Sequence, residues 1–183
     1  MKLPNINILD EKNKILRQKS NEVIFPLTKE DKKILNDSLT YLEMSQIEKY
    51  IEKYDLRSGM GLSFIQLGIP KRIFVASDEL EDGSFKRYVF INPKIISKSE
   101  ELIYVGEGEG CLSVDRDVEG IVPRHARITI KAYDEFGNPF QLRFREDLAI
   151  LCQHEIDHLN GILFIDRIDK KNPYKNKNIM REI

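Results

Sequence analysis

The chain has 183 residues, of which 41% are hydrophobic, enough for one compact domain with a core of ordinary size. Its 29 basic and 30 acidic residues leave a net charge of −1, so no overall field favours nucleic acid or a membrane surface. The sequence has no apolar run of about 18 residues and no signal-peptide pattern, which predicts neither membrane insertion nor export.

The first part of the chain is predicted to contain one amphipathic helix. Residues 1–27 look irregular or briefly helical. A threonine cap at Thr28 and acidic residues at Glu30 and Asp31 mark a helix start. The apolar stripe that should pack this helix on a sheet consists of Ile34, Leu35, Leu39, Leu42 and Met44. No repeat or linker interrupts the sequence, so we expect a single domain over residues 1–183.

A glycine-rich segment follows at residues 59–66. Gly59 and Gly61 are two positions apart, and an apolar turn and the amide of Gln66 come after them. One interpretation is a loop whose backbone lies against a ligand while Gln66 points into the same cavity. The other is a loop that leads into a buried strand. The later glycine and lysine of phosphate and dinucleotide loops are missing.

The middle of the chain has the texture of β-structure. Residues 72–76, 88–92, 128–133 and 140–144 contain β-branched and aromatic residues with partial alternation. Turn residues occur at 82–83 and at 134–138, where the chemistry is that of a hairpin. Short strands followed by one buried helix predict an α+β fold, with mostly antiparallel sheets wrapped around that helix.

The helix near the C-terminus carries the sequence His154-Glu155-Ile156-Asp157-His158. Residues four apart lie on one helical face, so both imidazoles can bind one ion, while Glu155 lies about 100° around the axis and can reach a water molecule. An apolar stripe supports the helix (Leu148, Leu151, Cys152, Ile156 and Leu159), and Asn160-Gly161 provides a stop. The pattern also arises by chance in exposed helices, but two of the three histidines of the chain fall in it, which favours a metal site.

Cys111 is the predicted third ligand. It lies in a glycine-flanked segment at residues 108–113, and one thiolate with two imidazoles would leave the fourth position open for water, as in catalytic sites. Cys152 is about 200° around the helix from His154 and is interpreted as a small buried hydrophobe. His125 has no partner at ligand spacing and is expected to be an exposed residue at a strand end.

Three motifs in this order resemble the peptide deformylase family: G-x-G-L-x-x-x-Q at residues 59–66, E-G-C-L-S at 109–113 and H-E-x-D-H at 154–158. The spacer between the first two motifs and the short tail resemble the second bacterial type, which carries insertions and lacks the long C-terminal helix of the first. One departure from the family pattern is clear, because the usual pair of alanines after G-x-G-L is here Ser63-Phe64.

The resemblance implies a reaction and a set of roles. A divalent metal held by Cys111, His154 and His158 would activate water for attack on the N-formyl group of the starting methionine of newly made polypeptides, releasing formate. Glu155 would be the general base, and the backbone N–H of Leu112 with the amide of Gln66 would stabilise the oxyanion. The substrate would lie against the segment and helix residues Gly59, Gly61, Ile150 and Leu151.

The resemblance also implies a cofactor and a location. The family is associated with Fe²⁺ in the cell, whereas purified samples also carry Zn²⁺, Ni²⁺ or Co²⁺, and the donor types do not choose among these ions. Two cysteines without a disulfide framework suit a reducing cytoplasm. The basic tail at residues 170–177 is expected to be a solvated, partly disordered end; the alternative is weak contact with ribosomal RNA. We expect no specific nucleic-acid partner.

Residues around the motifs are given supporting roles. Glu109 is expected to accept the free N–H of a metal-bound imidazole, with Arg124 as the partner that holds Glu109. Asp157 either anchors neighbouring strands or influences the metal. Phe64 is expected to point into the core rather than line the cleft, and Ser63 to hydrogen-bond backbone near the site.

Two other classes of protein fit parts of the pattern. A thermolysin-like peptidase also begins with H-E-x-x-H but takes a downstream acidic residue or histidine as its third ligand, and the tail that contains Glu182 offers no helix-spaced acidic pair. A metal-stabilised interaction module would use the ion only for folding, which leaves the base beside His154 unexplained.

Overall fold

The computed structural model describes residues 2–183. Helix α1 spans Lys29–Met44 and begins at a capping box, in which Thr28 and Asp31 satisfy each other's backbone N–H groups. Its predicted stripe is buried except for Ile34, which is partly exposed. A second helix, α2 at Glu48–Tyr54, was not predicted; it is seven residues long and buries no residue completely.

Five strands form the larger sheet: β1 (Gly61–Ser63), β2 (Ile73–Glu79), β3 (Phe85–Lys98), β6 (Arg127–Tyr133) and β7 (Pro139–Arg145). They are antiparallel and lie in the order β1-β2-β3-β6-β7. Both predicted turns are present, one around Gly83 and one closed by Asp134 and Asn138. Strand β3 runs further than predicted because it continues past a register shift between Ile91 and Lys94.

A smaller sheet has the order β5-β4-β8, with β4 at Leu102–Tyr104, β5 at Arg124–His125 and β8 at Arg181–Glu182. Strand β8 pairs in parallel with β4, and Arg181 forms ion pairs with Glu101 and Glu146. The basic segment at 170–177 is solvated as predicted, and the paired strand lies beyond it. The basic residues at 170–177 are mostly exposed, but the chain beyond them is bound to the domain.

Helix α3 (Glu146–Leu159) lies between the two sheets. Its Cys152 and Ile156 pack with Phe74 and Phe90 of the large sheet, while Ile150 packs with Ile103 of the small sheet. The other face of the large sheet carries Ile73, Val75 and Ile91 and packs against Leu35, Leu39 and Leu42 of α1. Side chains of successive strand residues point to opposite faces of a sheet. For this reason Phe74 of β2 packs against α3, while its neighbours Ile73 and Val75 pack on the α1 side. The predicted α+β fold around a central helix is confirmed.

Four short 3₁₀ helices lie between these elements, at Lys14–Arg17, Phe64–Leu67, Phe164–Asp166 and Lys177–Ile179 of the described residues. Helix α3 ends at Leu159 with Asn160 as its cap, and Gly161 follows with a φ of 74°, as the predicted stop requires. Among residues 2–183, no helix has both the length and the apolar character needed to cross a bilayer.

Candidate active site

Three side chains of types that can bind a metal ion converge beside a cavity. His154 and His158 lie one turn apart on α3, and their Nε2 atoms are 3.2 Å apart. The Sγ atom of Cys111 lies 3.2 Å from Nε2 of His158. The ligand atoms of the three residues are all within 4.8 Å of one another. The turn between Cys111 and Val114, closed by a backbone hydrogen bond of 3.1 Å, places the thiol opposite the helix.

The charges around this cluster favour a cation at its centre. Burial lowers the pKa of His154, but Cys111 and Glu109 outweigh this effect and raise the pKa to about 10. Burial and the neighbouring His154 hold the pKa of His158 well below its ordinary value, so that ring is neutral and free to use a nitrogen lone pair. A sulfur and two imidazole nitrogens form a donor set that binds divalent transition metals, so these residues fit a metal ion.

Glu109 and Arg124 hold the first histidine in place. Oε2 of Glu109 is 3.0 Å from Nδ1 of His154, and Arg124 donates to both oxygens of Glu109 at 2.7 and 2.8 Å. Burial raises the pKa of Glu109, but the bonds from Arg124 and His154 bring it to about 2. Because Nδ1 faces this carboxylate, Nε2 faces Cys111 and His158. The predicted contacts of Glu109 are confirmed.

Asp157 points away from the metal ligands. Its carboxylate accepts a hydrogen bond of 2.6 Å from Arg124 and two more from Arg167. Arg124 belongs to β5, and Arg167 lies beyond the turn at Phe164–Asp166. Asp157 therefore joins α3 to its surroundings, as the anchoring interpretation predicted.

Glu155 is buried, and it lines the same cavity as Cys111 and His154. Burial raises the pKa of its carboxyl group, and His154 and Ser63 partly oppose that rise. Oε2 accepts a hydrogen bond of 2.6 Å from the hydroxyl of Ser63. Oε1 faces Gly61, where a Cβ atom would lie only 2.6 Å away, so only glycine leaves room for this oxygen.

Gln66 reaches the site because the chain turns after β1. The 3₁₀ turn at Phe64–Leu67 sends the Phe64 ring into the core beside α1 and the Gln66 amide towards Cys111. Nε2 of Gln66 is 3.1 Å from Oγ of Ser113 and 3.7 Å from Sγ of Cys111. The predicted core position of Phe64 and the inward direction of Gln66 are confirmed.

The cavity encloses about 360 Å³, within the range of sites for small ligands. Its lining includes every residue that the sequence assigned to substrate or oxyanion: Gly59, Gly61, Gln66, Leu112, Ile150 and Leu151. Leu112 lies over Gly59, where a Cβ atom would come within 2.8 Å of its Cδ1. The glycine segment therefore forms one wall of a cavity, and the simpler interpretation of a loop leading into a strand is insufficient.

Arg57 contributes to this wall and was missed in the sequence. Its guanidinium donates to the backbone carbonyl oxygens of Cys111, Leu112 and Val114 at 3.0, 3.3 and 2.9 Å. These bonds fix the segment that carries the thiol. The available signal was a basic residue two positions before the first glycine of the motif.

The remaining cysteine and histidine lie outside the cluster. Cys152 is buried in the core, and burial raises the pKa of its thiol, which confirms its interpretation as a small hydrophobe. His125 is partly buried rather than exposed, because its Nδ1 lies 2.7 Å from the carbonyl oxygen of Ser99 in the adjoining segment. Its position at a strand end was predicted correctly, and its exposure was not.

Comparisons with known proteins agree with this geometry. A family model described as polypeptide deformylase matches residues 6–174. A peptide deformylase of Oceanobacillus iheyensis is 49% identical over 168 residues, 92% of each chain. One of Ligilactobacillus salivarius is 48% identical over 170 residues, 91% of each chain.

Solved structures give the same result. A crystal structure of the Thermotoga maritima peptide deformylase matches with a TM-score of 0.72 and 29% identity, covering 90% of this chain and 97% of that one. A probable peptide deformylase from Synechococcus phage S-SSM7 matches with a TM-score of 0.71 and 34% identity, covering 89% and 99%. The thermolysin-like and non-enzymatic alternatives are thereby set aside. The chain belongs to the polypeptide deformylase family.

Proposed function

We propose that catalysis takes place in this cavity, with Cys111, His154 and His158 as the ligands of one divalent metal ion and Glu155 as the general base. Membership of the family makes the chain a hydrolase that removes the N-formyl group from the starting methionine of newly made polypeptides. The observation that carries the assignment of roles is the meeting of three ligand atoms within 4.8 Å of one another, beside a buried carboxylate on the same cavity.

An ion bound by these three side chains would supply Lewis-acid chemistry, polarising a water molecule and the formyl oxygen. The donor set accepts Fe²⁺, Zn²⁺, Ni²⁺ or Co²⁺. We propose Fe²⁺ in the cell and the other ions in purified samples. Iron beside the Cys111 thiolate should make activity fall in air, because the thiolate and ferrous iron are both open to oxidation.

Glu155 is placed to move the proton that the reaction requires. Its Oε1 lies at the cavity wall, where an attacking water molecule can give it a proton. Burial raises the pKa of the carboxyl group, which makes the carboxylate a stronger base than one in solvent. The same group then returns the proton to the departing amine, so formate and a free N-terminus are released.

The developing oxyanion needs hydrogen-bond donors that are already in position. We assign this role to the backbone N–H of Leu112 and to Nε2 of Gln66; both residues line the cavity, and Nε2 of Gln66 lies 3.7 Å from Sγ of Cys111. The bonds from Arg57 to the Cys111–Val114 turn support this geometry, because a fixed backbone holds the Leu112 donor in one direction.

The other lining residues suit a methionine at a peptide start. Gly59 and Gly61 present backbone that a peptide can approach closely, and Ile150 and Leu151 present apolar surface to an aliphatic side chain. We assign all four to substrate binding.

We further propose that residues 1–183 act as a single catalytic domain in the cytoplasm, without a membrane or specific nucleic-acid partner. Exposed lysines at 170–171 could add weak, salt-dependent attraction to ribosomal RNA. Replacing Lys170 and Lys171 by glutamine should then weaken sedimentation with ribosomes at low salt and leave formate release from a free peptide unchanged. Equal sedimentation of both proteins would remove ribosome contact from the proposal.

The proposed chemistry is tested with protein purified without oxygen. Metal content per chain and formate release from a formyl-methionyl peptide are measured together, and chelation should abolish formate release, which added Fe²⁺ should restore. Peptide fragments in place of formate would indicate a peptidase. Undiminished formate release by a fully metal-free protein would contradict the assignment of Cys111, His154 and His158.

A further inference from the structure

The side chain of Ser63 hydrogen-bonds directly to Glu155, the proposed base. This side chain is fully buried, and Oγ lies 2.6 Å from Oε2 of Glu155 and 3.1 Å from the backbone carbonyl oxygen of the same residue. A hydroxyl has one proton to donate, and the shorter distance and the carboxylate acceptor favour the bond to Oε2. The contact therefore joins β1 to the catalytic end of α3.

The two oxygens of the Glu155 carboxylate have different surroundings. Oε2 is held by Ser63, whereas Oε1 faces Gly61 at the cavity wall. A carboxylate held at one oxygen has fewer orientations, since rotation about its terminal bond would break the hydrogen bond. The other oxygen, Oε1, lies beside Gly61, and both residues line the cavity that water and substrate would occupy.

The backbone of Ser63 orients a second group of the site. Its N–H donates to Oε1 of Gln66 at 2.9 Å. An amide oxygen held in this way directs the NH₂ group of Gln66 to the opposite side, where Ser113 and Cys111 lie. One residue thus sets the direction of the proposed base with its side chain and of the proposed oxyanion donor with its backbone.

We propose that Ser63 is a positioning residue for deformylation, which holds the Glu155 carboxylate with Oε1 towards the substrate. This inference rests on the proposed role of Glu155. The side chain of Ser63 thereby couples the β1 strand to the proposed base through one hydrogen bond.

The test compares kcat and KM for formate release by the metal-loaded enzyme and its variants. Ser63→Ala should lower kcat by about three- to tenfold, the value of one hydrogen bond, and change KM by less than about twofold. Ser63→Thr keeps the hydroxyl on a strand that accepts β-branched residues, and should restore kcat. Ser38→Ala is the matched control, because the buried hydroxyl of Ser38 on α1 has no hydrogen-bond partner among residues 2–183.

A double-mutant cycle separates positioning of the base from general damage. In a Glu155→Gln background, Ser63→Ala should cause no further loss of kcat beyond about twofold, because the base it positions is already gone. If Ser63→Ala does not fold, Ser63→Cys keeps the volume with a weak donor and should show the same loss of kcat.

Two results would overturn the inference while leaving the proposed function intact. One is an unchanged kcat in folded Ser63→Ala. The other is an equal loss of kcat in the presence and absence of the Glu155 carboxylate. Failure of the proposed function is a different observation, namely near-normal turnover by Glu155→Gln itself.

Discussion

Arg124 is a buried cation close to the proposed metal ligands. It is buried and pairs with two buried carboxylates, Glu109 and Asp157. Glu109 in turn contacts His154, a proposed metal ligand. One guanidinium therefore supports both His154, through Glu109, and Asp157, which anchors α3. The pairing of Arg124 with Glu109 was predicted from the sequence, but its pairing with Asp157, 33 positions away in the chain, was not.

Arg124→Met should destabilise the protein strongly. The change leaves Glu109 buried without its arginine partner and Asp157 with Arg167 alone, and breaking a buried ion pair in this way costs about 3–5 kcal/mol. Arg127→Met is the control, because the Arg127–Glu101 pair is partly exposed and worth about 0–1 kcal/mol. Denaturant unfolding of both variants measures the difference, and equal free energies of unfolding would refute the importance of Arg124.

The two cysteines should respond differently to the same substitution. Cys111→Ser replaces a ligand by a poor one and should greatly reduce metal content per chain. Cys152→Ser places a hydroxyl in the core and should cost about 1–3 kcal/mol of stability while metal content stays normal. Metal analysis of the purified variants decides between them, and the reverse pattern would transfer the ligand role to Cys152.

Ser63 and Arg57 show what the residue pattern leaves out. The sequence predicts a hydrogen bond from Ser63 to backbone near the site. Its carboxylate partner, Glu155, is 92 positions away in the chain and was not predicted. Arg57 reaches carbonyl groups more than 50 positions further along the chain. Motifs identify chemically distinctive groups, but they contain no information on the ordinary residues that orient those groups through the fold.

Among the elements, the helix that carries the two histidines was the most predictable. Its apolar stripe, its histidine spacing and its glycine stop all point to one structure, which begins two residues earlier than the stripe. Helix α2 and strands β4 and β8 were missed. Helix α2 buries no residue completely and has no apolar stripe, and β8 has two residues whose pairing with β4 spans almost 80 positions.

The turn after β1 makes a further prediction about Phe64. The ring is fully buried in the cluster between the sheet and α1, so Phe64→Ala should cost about 3–5 kcal/mol. Preference among formyl-methionyl peptides should stay as it is, because the ring does not line the cavity. A variant with normal stability and an altered preference would place Phe64 in the substrate cleft instead.

At the scale of the whole molecule, the C-terminal segment closes the small sheet. Strand β8 pairs with β4, and Tyr104 donates a hydrogen bond of 2.7 Å to Glu182. Burial, together with this hydrogen bond, raises the pKa of Tyr104 to about 12. The tail therefore belongs to the domain that contains α3. A basic composition alone predicted solvation, and the pairing could not be read from it.

Truncation after Asp169 should lower the melting temperature. The loss of β8 and the bonds of Arg181 removes several contacts, which we expect to cost about 1–3 kcal/mol and to shift Tm by roughly 2–10 °C. The Lys170→Gln, Lys171→Gln protein is the control, because it alters the basic segment and keeps β8. An unchanged Tm in the truncated chain would show that β8 contributes nothing to stability.

The central claim is that Glu155 moves the proton while Cys111, His154 and His158 bind the metal. Glu155→Gln keeps the size of the side chain and its bond with Ser63 but cannot accept a proton, and its effect is measured by formate release and metal content on the same preparation. We predict a loss of kcat of about 10²–10⁴-fold with normal metal content. Near-normal turnover by the metal-loaded variant would contradict the account.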